Sequence, residues 1–225
     1  MRKFGIIVLV CFSLFLFVGC GDKKVQTEEK QELTDGEKFK KEYEQYNKYV
    51  ADDGTKEYPQ VTITEDNKMK YSSFKEVKEI LKDGTGVVFF GNAKSAWTRN
   101  VVPILIEAAK ESGVDTIYYY DHYEDRDEKH LDSSGNIIID KDGTEEYQEL
   151  VTILYSELGP YEGLNYDTIK RLYYPTVVFV SDGLILGSHI GTIESQTDPK
   201  VNLSSAEQEE LKEIYTHYME LMQES

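Results

Sequence analysis

Residues 87–103 read VVFFGNAKSAWTRNVVP. Val87–Phe90 is a short apolar run bounded by glycines, the pattern of a buried strand. From about Trp97 to Ser112 a helix is predicted, in which Val101, Val102, Ile104, Leu105, Ala108 and Ala109 form an apolar face wide enough to lie on a sheet. Pro103 removes one hydrogen bond inside that helix and predicts a kink, and Gly113 is placed to cap its C-terminus. Strand-to-helix junctions of this kind often carry the chemistry of α/β proteins. This one, Gly91–Asn100, offers Trp97 and Arg99 but no obvious nucleophile, metal ligand or phosphate cradle. Arg99 reads as a solvated residue at the helix start.

Other elements can be placed outward from the junction. Upstream, Ser73-x-x-Glu76 has the spacing of a capping box and opens a helix with Phe74, Val77, Ile80 and Leu81 on one face. Thr34-Asp35-Gly36-Glu37 repeats that signal, and Phe39, Tyr43, Tyr46 and Val50 follow at helical intervals. A helix is therefore predicted from about Gly36 to Tyr49, with a short alternating strand at Val61–Thr64. Downstream, Thr116–Tyr120 is a strand ending at Asp121. Residues from about 122 to 144 are rich in charge, Gly and Ser and read as a surface insertion with a small hairpin closed at Asp142-Gly143.

A helix from about Glu145 to Leu158 and a short one over Tyr166–Tyr173 come next. Tyr174-Pro175 then precedes the strand Thr176–Val180. Ser181-Asp182-Gly183 is a hairpin turn, with Leu184–Ile190 as the partner strand. A final helix, Leu203–Gln223, is capped by Ser204 or Ser205 and turns Leu211, Ile214, Tyr215, Tyr218 and Leu221 inward, with Met222 beside them.

The N-terminus predicts an address. Met1-Arg2-Lys3 precedes a fifteen-residue apolar stretch, Phe4–Val18, and then Gly19-Cys20. This order of basic, apolar and small residues describes a secretory signal peptide, and the stretch falls short of the ~20 residues of a spanning helix. The FVGC stretch resembles the lipobox of bacterial lipoproteins, although Phe17 departs from the usual pattern. That resemblance implies cleavage before Cys20, lipidation of Cys20, and a chain held at the extracytoplasmic face of the cell membrane.

Cys11 lies in the signal and Cys20 is the lipid site, so the mature body is expected to contain no thiol, disulfide or thiolate metal ligand. Loss of Arg2 and Lys3 leaves 23 basic against 42 acidic residues, a net charge of −19. That charge repels nucleic acid and anionic lipid and argues against both as partners. The roughly 200 residues after the signal suffice for one domain with a sizeable core.

With strand, helix, strand, insertion, helix, X-Pro strand, hairpin strand and helix in order, the chain resembles a thioredoxin-fold protein from about Tyr71 onward. The matching marks are VVFFG, the loop with Trp97, the kinking Pro103, Tyr174-Pro175-Thr176 ahead of VVFV, and Gly191 after the last strand. The resemblance implies an α/β fold, a mixed sheet flanked by helices. It further implies that Tyr174, Pro175 and Thr176 form a cis-proline loop facing the Trp97 loop. The resulting division is 1–19 signal peptide, 20–33 lipidated Cys and tether, 34–70 N-terminal helix and strand extension, and 71–225 thioredoxin-like domain with its insertion.

Thioredoxin-like oxidoreductases carry C-x-x-C where this chain has Ser95-Ala96-Trp97-Thr98. Thiol exchange needs a thiolate at the helix N-terminus and a second sulfur to resolve the mixed disulfide. Ser95 and Thr98 supply hydroxyls instead, so the resemblance carries over the fold and the site but not the activity.

A serine nucleophile would need a positioned base. His122 and His130 fall in the insertion, His189 on the edge hairpin and His217 on the last helix, so Ser95 reads as a helix cap. Asp140-x-Asp142-Gly143 with Glu145 and Glu146 lacks the full pattern of a calcium loop and reads as a solvated turn. Tyr118–Tyr120 and Tyr173-Tyr174 read as sheet packing. No catalytic residue, metal or cofactor is expected. The expected function is binding of a protein or peptide at the cell surface by a redox-inactive module. The alternative is a degenerate member of an oxidoreductase family whose active relatives carry cysteines at positions 95 and 98.

Overall fold

A computed structural model describes residues 32–54 and 56–224. The expected signal peptide, Cys20 and nearly all of the tether lie outside the described residues.

The core is a five-stranded sheet in the order β1 (Met69–Tyr71), β3 (Ile117–Tyr120), β2 (Gly86–Phe90), β6 (Thr176–Ser181) and β7 (Leu184–Ile190). The first three run parallel; β6 is antiparallel to β2 and β7 to β6. Helices on both faces complete an α/β architecture compatible with the thioredoxin-like fold: α1 (Asp35–Glu44), α2 (Phe74–Asp83), α3 (Ala96–Glu111), α4 (Glu145–Ile153) and α5 (Ser205–Glu224). Strand alternation divides the core in two. Val87, Phe89, Ile117, Tyr119, Val177 and Phe179 share a cluster with α1, α3 and α5. Val88, Phe90, Val178 and Val180 share the other with α2 and α4.

Helix starts follow the sequence signals closely. Thr34–Glu37 and Ser73–Glu76 are complete capping boxes, and Ser204 with Glu207 opens α5 in the same way. The Ser181–Gly183 turn is confirmed, with Asp182 at φ 48° and Gly183 at φ 75°. A Cβ on Gly183 would lie 2.1 Å from the Lys82 carbonyl oxygen, so the hairpin tip packs against the end of α2 only because position 183 has no side chain.

Several expectations need correction. Val61–Thr64 buries Val61 and Ile63 in alternation, but it is not a strand. Its main chain bonds to side chains of the first helical segment: Asn47 Oδ1 accepts from the Val61 N–H (2.9 Å) and Glu44 Oε1 from the Ile63 N–H (2.9 Å). The edge strand is instead Met69–Tyr71. The first α-helix ends at Glu44 and tightens into a 3-10 turn, Gln45–Lys48, which leaves Val50 exposed. Tyr166–Tyr173 forms turns rather than a helix, and α4 stops at Ile153.

The insertion hairpin, β4 (Glu128–Leu131) with β5 (Ile137–Lys141), closes at Asp132–Asn136 rather than at Asp142-Gly143. There Asp132 Oδ1 accepts the N–H groups of Ser134 and Asn136, an Asx-type turn that competes well for the tip. On α5 the buried set is Leu211, Tyr215 and Met219, with Ile214, Tyr218 and Met222 half-buried around it.

The N-terminal extension belongs to the sheet's own core. Phe39 and Tyr43 are fully buried, stacked at 4.3 Å, and Phe39 meets the edge of Tyr119 at 4.9 Å. Each such aromatic contributes about 1.5–3 kcal/mol by leaving water.

Candidate functional site

The loop after β2 is built for close packing. A Cβ on Gly91 would come within 2.8 Å of both the Phe89 ring and Thr98 Cγ2, so the chain can leave the strand and enter α3 tightly only at a glycine. Asn92 Oδ1 accepts from the Lys94 N–H (2.8 Å), while its amide donates to Asp121 Oδ2 (2.6 Å) across the end of β3. Ser95 is the N-cap of α3, its Oγ accepting from the Thr98 N–H at 3.2 Å. Ala96 and Trp97 form the first turn and are half-buried. Thr98 is fully buried, and its hydroxyl has no hydrogen-bond partner among the described residues.

Arg99 overturns its sequence reading. It is fully buried, not solvated. Nε donates to the Pro59 carbonyl (2.9 Å), Nη1 to the carbonyls of Tyr43 (2.7 Å) and Ala93 (3.3 Å), and Nη2 to Asn47 Oδ1 (2.7 Å). No carboxylate pairs with it among the described residues. Burial lowers its pKa, yet a guanidinium stays charged at neutral pH, so carbonyl dipoles stabilise this cation. The side chain ties the N-terminal extension to the junction loop.

The second loop lies opposite. The Tyr174–Pro175 peptide bond is cis. Thr176 Oγ1 donates to the Tyr173 carbonyl (2.9 Å), and the Gly191 N–H donates to the Pro175 carbonyl (2.8 Å), with Gly191 at φ 78°. The Tyr174 hydroxyl donates to Asp121 Oδ1 (2.7 Å), which joins this loop through Asp121 to Asn92 and the Ser95 loop.

Between them is a cleft of about 820 Å³. Its walls include Asn92–Ser95, Asp121, Leu172–Tyr174 and, from the N-terminal extension, Glu42, Tyr46 and Tyr58. Ser95 and Tyr174 thus face one space, whereas Trp97, Thr98, Pro175 and Thr176 do not line it. Glu42 accepts a short hydrogen bond from the Tyr71 hydroxyl. Burial raises its pKa despite that bond, and the nearby charge of Asp121 acts in the same direction.

His122 is the second residue that the sequence misplaced. It is fully buried rather than part of a surface insertion, packed among Phe90, Tyr147 and Tyr174, with the Tyr174 ring 4.2 Å away. Nε2 lies 3.0 Å from the Leu172 carbonyl, so that nitrogen carries the proton, while Nδ1 has no partner among the described residues. Burial pushes its pKa down to about 3, with Arg126 and Arg171 adding to the effect. The signal was present: Tyr118, Tyr120 and His122 continue one strand face at period two.

None of the four histidines hydrogen-bonds Ser95. His189 Nε2 contacts the Thr192 carbonyl, and His130 pairs with Asp140. Among the described residues no three His, Cys, Asp or Glu side chains converge as a metal site, and no helix is long and apolar enough to cross a membrane.

Compared with known proteins, the chain matches no family model and no curated protein.

Proposed function

We propose that this chain is a lipid-anchored member of the thioredoxin-like family, held through Cys20 at the extracytoplasmic face of the cell membrane, that binds a protein or peptide segment in the cleft and performs no thiol chemistry there. The cleft shared by the Ser95 loop and the cis-Pro175 loop is the observation that carries this reading. Hydrogen bonds fix the carbonyls on either side of Tyr174, and Tyr173 and Tyr174 line the cleft, a place where an extended segment could add by strand-like pairing. Both sulfur positions hold hydroxyls, and Ser95 is occupied as a cap, which supports a binding role over exchange. Photo-crosslinking from positions 95 and 173 tests the reading.

The degenerate-oxidoreductase alternative is favoured by one observation. Position 95 stands at a helix N-terminus and position 98 is buried one turn on, as a nucleophilic and a resolving thiol would be placed. Ser95→Cys with Thr98→Cys should then reduce insulin disulfides; an inert double variant means that the loop diverged beyond its sulfurs.

A further inference from the structure

One part of the cleft is cationic in a chain whose net charge is −17. Arg126, from the turn after β3, and Arg171, from the segment before cis-Pro175, both line it. Each guanidinium lies over a tyrosine ring, Arg126 Cζ 4.4 Å from Tyr123 and Arg171 Cζ 4.4 Å from Tyr161. A guanidinium held over a ring keeps N–H donors at its terminal nitrogens for a ligand. The rings beside Arg171 are themselves anchored. Tyr161 accepts from the Lys129 N–H (2.9 Å), and Tyr173 accepts from the Glu162 N–H (2.7 Å) and donates to the Pro160 carbonyl (3.1 Å).

The two cations are weakly engaged within the chain. The Arg171 side chain makes no ion pair or hydrogen bond among the described residues. The nearest carboxylate to Arg126 is Glu128, at 3.9 Å, and Arg126 Nε is buried with no hydrogen-bond partner. Both charges help to lower the pKa of His122. The acids of the cleft are largely engaged elsewhere. Asp121 accepts from Asn92, Tyr174 and the Tyr123 N–H, and Glu42 from Tyr71, while Glu124 is exposed.

Resting on the cleft as a peptide-binding site, we propose that Arg126 and Arg171 receive a carboxylate of the bound peptide. A planar guanidinium matches a carboxylate in a two-point, charge-assisted pair.

Fluorescence anisotropy with the full-length chain in detergent micelles tests this. Three labelled seven-residue Ala/Ser peptides are compared: end-capped with a central Glu, end-capped with Gln, and the Gln peptide with a free C-terminus. At least one carboxylate peptide should bind ten-fold or more tighter than the capped Gln peptide, and which one it is separates a side chain from a chain end. Arg126→Gln with Arg171→Gln should cut the preference below two-fold, while Arg126→Lys with Arg171→Lys keeps part of it. Melting temperatures close to wild type establish that the variants fold. Equal binding of all three peptides overturns the carboxylate assignment but leaves the cleft reading intact. A preference that survives the Gln variants overturns it too, and binding of none of the peptides sinks both.

Discussion

Arg99 Nη1 donates to the main-chain carbonyl of Tyr43 at 2.7 Å, which joins the start of the junction helix to the end of a helix 56 residues earlier in the chain. The same side chain reaches Pro59, Ala93 and Asn47, so one buried cation satisfies four acceptors. It also sets the wall of the cleft that carries Glu42, Tyr46 and Tyr58.

Arg99→Ala should therefore destabilise the fold by about 3–5 kcal/mol, because the carbonyls lose a buried charged donor and a cavity remains. Arg99→Lys should cost about 1–3 kcal/mol, since an ammonium cannot span the same fork. Urea unfolding measures both. A loss below 1 kcal/mol for the alanine variant would show that the cation is dispensable.

Thr98 carries the opposite expectation. Its hydroxyl is buried without a partner, so Thr98→Val should be neutral or stabilising by up to about 1 kcal/mol in thermal unfolding. A clear destabilisation would mean that the hydroxyl has a partner, such as a buried water.

His122 makes stability depend on pH. Its folded pKa of about 3 lies below the unfolded value near 6.5, so the unfolded chain takes up a proton first as pH falls. Its contribution is full above pH 6.5 and declines from there toward pH 3, on the order of 1 kcal/mol per pH unit. Glu76, held down to about 2 chiefly by the Ser73 N–H, loses stabilisation over a lower range, from about its unfolded pKa downward. Subtracting the profile of His122→Gln isolates the histidine. Parallel profiles for variant and wild type would remove it as the cause.

The proposed address rests on Cys20, outside the described residues. Cys20→Ala should abolish incorporation of labelled palmitate and change the chain's partition between membrane and soluble fractions. Unchanged labelling in the variant would place the lipid elsewhere or nowhere.

Much of the fold was legible because its signals are local. Capping boxes at Thr34, Ser73 and Ser204, the apolar run before Gly91 and the Asp182-Gly183 turn each act within four residues. The cleft was half legible: Ser95 and Tyr174 were placed on facing loops, but its third wall was not anticipated. That wall depends on Arg99 meeting carbonyls from Tyr43 and Pro59, and no periodicity records where main-chain acceptors converge. Residues 61–64 show the same limit. Their alternation predicts a strand, whereas side chains of Asn47 and Glu44 capture the main-chain groups that a ladder would have used. His122 was hidden by its neighbours, since charged residues around it made the whole segment read as surface.

Site-specific photo-crosslinking on intact cells tests the central claim most directly. A photoreactive residue replaces Ser95, Tyr173 or, as a control, His217 on the exposed face of α5, which does not line the cleft. The cleft reading predicts a discrete protein or peptide adduct from positions 95 and 173 and none from 217. Adducts from 217 alone, or no adduct at 95 and 173 with the chain correctly folded and anchored, would contradict it.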